Sequence, residues 1–318
     1  MSPLAFSTLA CPDWSWHELL DHARRYGYDG VEVRLLQREV DLLKVPEFRS
    51  PERARRRSEL RDAGLCVCGL ASSVRFDHAD AADRRRQLDI GRAYVDLALE
   101  LGAPFVRVFG DTLPANADDA TRRSAVGQIA DGLNQLGSCA AAAGVQILLE
   151  THGDFFDSRL VAETMRQVAS PAAGVLWDTH HPWRFCSEPL DETLERLQPW
   201  LRHTHWKDSI VRPEPKQHAQ GDEAARQAHD LMSGHRHADY VLFGGGEFPA
   251  AECMRLLVAA GYDGWHSYEW EKAWHPEIED PEIALPLFPA KIRWLEQWAR
   301  SHVPAPDSSA TCGGDVLR

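Results

Sequence analysis

The chain has 318 residues, 44% of them hydrophobic, and a formal net charge of −13. That length suits one large α/β domain with an ample core, and that charge argues against a general binder of phosphate backbones, which shows a basic footprint. Seven scattered cysteines fit reduced thiols, and Met1-Ser-Pro-Leu begins neither a basic nor a long apolar stretch, so a cytoplasmic protein with no membrane or nucleic-acid partner is expected.

Leu4 to Leu9 reads as a first strand. Ser15-Trp-His-Glu18 has the form of a capping box, opening a helix with Trp16, Leu19, Leu20 and Ala23 on one face and Gly27 at its end. Tyr28-Asp-Gly30 turns into a second strand, Val31 to Leu35, and Gly-Tyr-Asp-Gly recurs at 261–264, the mark of a repeated helix–turn–strand unit. An apolar segment at 65–71 contains Cys66-Val-Cys68, whose spacing suits strand packing and neither zinc nor redox chemistry. Helical periodicity through Ile90, Tyr94, Leu97 and Leu101 leads to a strand at Phe105–Phe109. A second periodic run, Val126 to Ala140, leads to Val145–Glu150. Further helical patterns precede Gly174–Asp178, Leu201–Lys207 and Trp265–Glu269, and a last helix is expected to enter through Pro289.

About eight such alternations predict an α/β fold, a (β/α)8 TIM barrel in a single domain over 1–302, with a disordered tail over 303–318. An open doubly wound sheet is the alternative, although its glycine-rich dinucleotide turn is missing after the first strand. The break from Asp208 to Gly246 is too long for an ordinary loop and reads as a functional excursion. Gly244-Gly-Gly246 has the form of a phosphate-binding turn, with a plain tight turn the commoner explanation.

Four strands in succession end on a metal-competent side chain: Glu150, Asp178, His205 and Glu269. At the carboxyl ends of barrel strands these converge. Buried carboxylates repel one another, so an oxygen-rich set of this kind suits one divalent ion, Mn²⁺, Mg²⁺, Co²⁺ or Zn²⁺. The bland explanation for each acid alone is a helix cap or an arginine pair; four together favour a site. Lys207 should point inward with His205, and Trp183, Trp206, Trp270 and Trp274 surround the motifs, Trp206 as packing. Glu32, Arg34 and Arg107 are read either as pocket lining or as structural ion pairs.

Leu149-Glu150-Thr-His152, Asp178-Thr-His-His181, His203-Thr-His205-Trp-Lys207-Asp208 and Gly261-Tyr-Asp-Gly264 running to Glu269 resemble the xylose isomerase-like sugar (phosphate) isomerases and epimerases. Tagatose and psicose 3-epimerases, inosose dehydratases and apurinic-site endonucleases are among that family's relatives. The resemblance implies that Glu150, Asp178, His205 and Glu269 bind one metal, and that Glu150 and Glu269 double as acid and base. The implied activity is isomerisation or epimerisation of a small sugar through an enediolate, by transfer of a proton between the two glutamates. It further implies His181, and after it His152, as donors to a substrate hydroxyl, with Arg212 the candidate for the arginine that epimerase relatives place shortly after the histidine ligand. Read from its inward position, Lys207 is expected to hold a substrate oxygen or to pair with a carboxylate, and Trp183 to offer an aromatic wall to a sugar face. Homo-oligomerisation is left open.

The rival is a nuclease of the abasic-site group, with a trinuclear zinc centre. Ser72 or Ser73 and Phe109 stand where that group has histidines, which weighs against it, although His181, His235 and His237 leave a second metal open. A sugar-binding protein without catalysis is the third reading.

Overall fold

The computed structural model describes residues 1–114, 116–211 and 238–303. Seven strands run in chain order from the N-terminus: β1 Leu4–Ser7, β2 Gly30–Val33, β3 Cys66–Arg75, β4 Phe105–Phe109, β5 Gln146–Glu150, β6 Ala173–Asp178 and β7 Leu201–Trp206. After the two-residue strands β8 Ser209–Ile210 and β9 Asp239–Tyr240, which pair antiparallel, comes β10 Trp265–Tyr268. The eight longer strands close a parallel barrel in the ring order β1-β10-β7-β6-β5-β4-β3-β2. They read as near-continuous apolar runs because each is covered inside the ring and by helices outside.

The first helix, Trp16–Tyr26, shows how local sequence punctuates this fold. Ser15 and Glu18 cap each other's end of the chain, and Gly27 stops the helix at φ 81°, a left-handed conformation that costs glycine nothing. The Gly27 amide returns to Ala23 and Arg24, and the chain then turns into β2.

Period-2 geometry divides the strands between two environments. On β6, Leu176 packs with Phe105 and Leu148 in a small cluster within the ring, whereas Trp177 joins the larger core beneath the helices. Asp178 therefore returns to the inside. Gly69 on β3 lies against this interior plug, since a Cβ there would come within 2.1–2.6 Å of the Phe105 ring. The plug closes the floor of the barrel, and the Phe105 ring lies 4.6 Å from, and tilted by 52° to, the ring of His203, the first inward residue above it.

Several boundaries differ from the sequence reading. β2 stops at Val33, β3 runs on to Arg75, and Lys207 and Glu269 each lie one residue past their strands. The final helix spans Pro281–His302, so Pro289 lies inside it and the entry is at Pro281. A continuous buried face (Ala284, Leu285, Phe288, Ile292, Leu295) outweighs the backbone hydrogen bonds that Pro286 and Pro289 remove. The glycine turn at 244–246 is closed around a side chain of the same chain. Asp208 accepts backbone N–H groups from Gly244 (2.9 Å), Gly246 (2.9 Å), Phe248 (3.0 Å) and Ser209 (2.8 Å). The anion that this concave turn holds is Asp208, and Gly244 meets its curvature at φ 78°. The tail at 304–318 lies outside the described residues, and among those described no helix is long and apolar enough to cross a membrane.

The plug makes a direct prediction. Gly69→Ala should lower unfolding stability by on the order of 1–3 kcal/mol through overpacking against Phe105. Gly127→Ala, where a Cβ meets only Gln167 Oε1 at 3.8 Å, should be neutral or stabilising in the same denaturant titration.

Candidate active site

β5, β6, β7 and β10 are neighbours in the ring, and their carboxyl ends bring Glu150, Asp178, His205 and Glu269 together. All four are buried, and one donor atom of each lies within 4.8 Å of the others. Asp178 and His205 sit in register across β6 and β7, and His205 faces Ser267 on β10. Backbone geometry aims the Asp178 carboxylate, because Oδ1 accepts the N–H groups of His180 and His181, each at 2.9 Å. That leaves Oδ2 for the interior.

Across the barrel, Glu32 fixes the histidines. It is fully buried on β2 and accepts from His203 Nε2 at 2.9 Å and from His205 Nε2 at 2.8 and 3.0 Å. Burial alone would raise the Glu32 pKa, yet His205 and His203 together hold it far below the carboxylate range. A carboxylate at Nε2 requires a proton there, so His205 Nδ1 is the atom turned toward the acids. Nδ1 stands 3.3 Å from Glu150 Oε1 and 3.2 Å from Glu269 Oε2, but makes no hydrogen bond. A lone pair between two carboxylate oxygens needs a positive particle. Without a metal that particle is a proton: burial opposes it, but Glu269 and Glu32 raise the His205 pKa well above its usual value.

The charge balance asks for more than a proton. Buried around this point are Glu32, Glu150, Asp178, Glu269 and Glu271, against Arg34, Arg107 and Lys207. With His205 neutral, five carboxylates face three fixed cations, an excess of two negative charges that one divalent ion would cancel. Ligands at about 2.0–2.6 Å from a common ion stand roughly 3–5 Å apart, and these donors all lie within 4.8 Å of one another. The donor set therefore fits a divalent metal.

Lys207 is fully buried beside the cluster. Its Nζ lies 2.8 Å from Asp178 Oδ2, 2.5 Å from Glu269 Oε2 and 2.6 Å from Glu271 Oε1. Burial works against its charge, but the three acids, Asp178 foremost, raise its pKa well above normal and keep it an ammonium. Arg107 Nε stands 3.2 Å from Glu150 Oε2. Burial favours protonation of both glutamates, but Arg107 and His205 hold Glu150 low, and His205 and Lys207 hold Glu269 well below the usual range. Both remain carboxylates, able to accept a proton.

The structure also places the other expected residues. His181 directs Nδ1 to the Thr151 carbonyl (3.1 Å) and Nε2 to Lys207 Nζ (3.3 Å). A carbonyl only accepts, so Nδ1 carries the proton and Nε2 faces the site as an acceptor; burial and Lys207 keep the ring neutral. This differs from the donor role that the resemblance implied. His152 bonds Asp111 through Nδ1 at 2.9 Å, which ties it to the rim, while Arg75 reaches Asp111 at 3.2 Å. Trp183 lies beneath Arg184 (4.4 Å) and against Phe248 (5.4 Å). Trp206 is packing, as expected, with its Nε1 on Thr204 and His266. Arg212, His235 and His237 lie outside the described residues.

The chain belongs to the xylose isomerase-like TIM barrel family, whose model matches residues 20–298. It is similar to inosose dehydratase from Klebsiella pneumoniae subsp. pneumoniae, 27% identical over 183 residues, which are 57% of this chain and 55% of that protein. Inosose dehydratase from Lacticaseibacillus casei is 27% identical over 179 residues, 56% of this chain and 53% of that protein. The chain thus spans about half the length of the curated relatives it matches. Among solved structures, L-ribulose 3-epimerase aligns at a TM-score of 0.73 with 18% identity, over 95% of this chain and 97% of that one. The probable 3-DHS dehydratase of petrobactin synthesis from Bacillus anthracis aligns at 0.68 with 18% identity, over 92% and 98%. At such identities these structures speak for the fold alone.

The sequence named Glu32 without its partners, because the bond from Glu32 to His205 spans 173 positions, and it missed Glu271, which sits in the short alternation Glu269-Trp-Glu271. Glu32→Gln removes the negative charge that holds both histidine N–H groups and replaces Oε1, the nearer acceptor for His205, with an NH₂ that can only donate, so the Mn²⁺ affinity of the purified protein should fall by about 10–100-fold in calorimetry. Unchanged affinity would show that Glu32 does not orient His205.

Proposed function

We propose that this chain is a divalent-metal-dependent enzyme that removes the proton beside the carbonyl of a keto-sugar or related keto-polyol and returns it, as an epimerase or aldose–ketose isomerase does. The observation that carries this reading is the convergence of Glu150, Asp178, Glu269 and the unbonded Nδ1 of His205 on one buried point. In this reading those four residues hold one ion, Mn²⁺, Mg²⁺, Co²⁺ or Zn²⁺. When bound, such an ion polarises the carbonyl and the neighbouring hydroxyl and acidifies the C–H between them.

The chain's own residues then divide the work. Glu150 and Glu269 stand at the two ends of the row β5-β6-β7-β10, so a substrate lying on the row has one carboxylate at each end. One accepts the proton from carbon and the other returns it; return to the opposite face gives an epimer, and transfer by a single group on one face gives an isomer. Arg107 and Lys207 keep both groups ionised for the first half of the cycle. Lys207, and the acceptor Nε2 of His181 beside it, hold a substrate hydroxyl or enediolate oxygen. His152 at the rim is a further contact.

A second reading, dehydration, is favoured by the names of the curated relatives. It shares the first step: the same carboxylate takes the proton, and the electron pair expels a hydroxyl one carbon further on, protonated by the Lys207 ammonium. The abasic-site nuclease reading has little support, since Ser72 Oγ is committed to the Arg107 carbonyl at 2.6 Å and Phe109 lies under the Arg107 guanidinium at 3.8 Å.

Three outcomes test this. In D₂O with a panel of keto-sugars and inososes, the Mn²⁺-loaded protein should exchange deuterium into the carbon beside the carbonyl. Chelation should stop the exchange and Mn²⁺ restore it. Glu150→Gln and Glu269→Gln should each lower the rate by about 10²–10⁴-fold while metal occupancy falls less. Loss of water from the product would select dehydration over epimerisation. Wild-type rates in both variants with metal bound would end the two-carboxylate mechanism, and metal-dependent incision of abasic DNA, absent in Glu150→Gln, would replace it with hydrolysis.

A further inference from the structure

A buried charge is ordinarily paired, because taking an ion out of water is costly. The other buried cations at the top of this barrel obey that rule: Lys207 touches three carboxylates, Arg107 stands 3.2 Å from Glu150, and Arg184 reaches Glu247 at 2.8 Å. Arg34 does not. It follows β2, is 8% exposed, and among the described residues has no carboxylate within ion-pair distance. Its Nη2 donates to Ser73 Oγ at 3.0 Å, and its Nη1 is buried without a hydrogen bond. Burial, and then repulsion from Arg107, lower its pKa to about 10, against Tyr94, Glu269 and Glu150 acting the other way; it stays a cation at neutral pH.

Its position in the ring gives that charge a purpose. β5, β6, β7 and β10 carry or lead into Glu150, Asp178, Glu269 and Glu271, and β1 to β4 form the opposite half of the barrel, where Glu32 on β2 is committed to its histidines, Arg34 follows β2 and Arg107 lies on β4. Arg107 Nη1 also makes no hydrogen bond. The second half of the mouth therefore has guanidinium N–H groups to spare. The ring of Trp274, partly exposed, lies 5.8 Å from the Arg34 guanidinium. Asp208 fills the glycine turn, so an anionic substrate would find its partner here and not there.

We infer that Arg34, backed by Arg107, anchors an anionic oxygen group, a carboxylate or a phosphate, carried by the substrate at the end remote from its reacting carbonyl. The inference rests on the proposed proton-transfer reading for where that carbonyl lies. Arg34 touches no catalytic group, and its two free Nη1 hydrogens match an oxygen anion in geometry and charge.

The test uses the full chain loaded with Mn²⁺ and three probes that differ only at C6: D-fructose, D-fructuronate and D-fructose 6-phosphate. Calorimetry should show one of the two anions binding about 10–100-fold more tightly than D-fructose, the worth of a charge-assisted hydrogen-bonded pair. Whichever anion prevails names the group. Arg34→Gln should erase that advantage while leaving D-fructose affinity at the wild-type value, all at saturating Mn²⁺, and Arg34→Lys should keep part of it. Equal binding of all three probes, or an anion advantage that survives Arg34→Gln, would each overturn the inference. Deuterium exchange in the same samples keeps the two readings apart. Anion preference without exchange supports the subsite and counts against the proposed chemistry; exchange without anion preference does the reverse.

Discussion

An excess of buried negative charge governs this molecule. Five carboxylates around the barrel axis face three fixed cations, and the low-dielectric interior makes the imbalance costly. The chain meets part of the cost itself. Lys207 is shared among Asp178, Glu269 and Glu271, Arg107 serves Glu150, and Glu32 accepts the N–H groups of two histidines. The remainder falls on His205 Nδ1, where a proton or a divalent ion is the remedy. Much of the upper barrel can be understood as support for that one atom.

The support comes from alternation on a single strand. On β7 and just past it, His203, His205 and Lys207 point inward at rising levels, while Thr204 and Trp206 pack outward against His266 and the helices. The plug of Phe105, Leu148 and Leu176 sets the floor against which the His203 ring packs. Glu32, from the far side, joins the first two levels, so the register of β2 against the rest of the ring fixes which nitrogen of His205 faces the acids. A one-residue slip would turn Glu32 outward and leave both histidines without an acceptor.

Much of this was legible in the sequence, for a physical reason. A carboxylate or imidazole that ends an apolar strand is unexplained by packing, and four such endings in successive alternating units forecast both the barrel and the convergence of Glu150, Asp178, His205 and Glu269. What the sequence hides is pairing across the ring. Glu32 could be read only as lining or as an ion pair, because its partners lie on a strand 171 and 173 positions away. The glycine turn at 244–246 looked open to phosphate because Asp208, which occupies it, is 36 residues distant from Gly244. The direction of the His181 ring depends on the Thr151 carbonyl, a backbone atom that no side-chain pattern reveals. Pro289 looked like a helix entry because local propensity was all there was to read, and the buried face of Pro281–His302 overrode it.

The most direct test is a crystal of the Mn²⁺-loaded protein, with the ion located by its anomalous scattering. The account predicts one strong site bonded to Glu150, Asp178, His205 Nδ1 and Glu269, with His205 Nε2 still on Glu32 and the Lys207 ammonium beside the ion. An ion bound elsewhere, such as among Glu32, Cys68 and His203, or no ion at the four-residue site at saturating Mn²⁺, would contradict it.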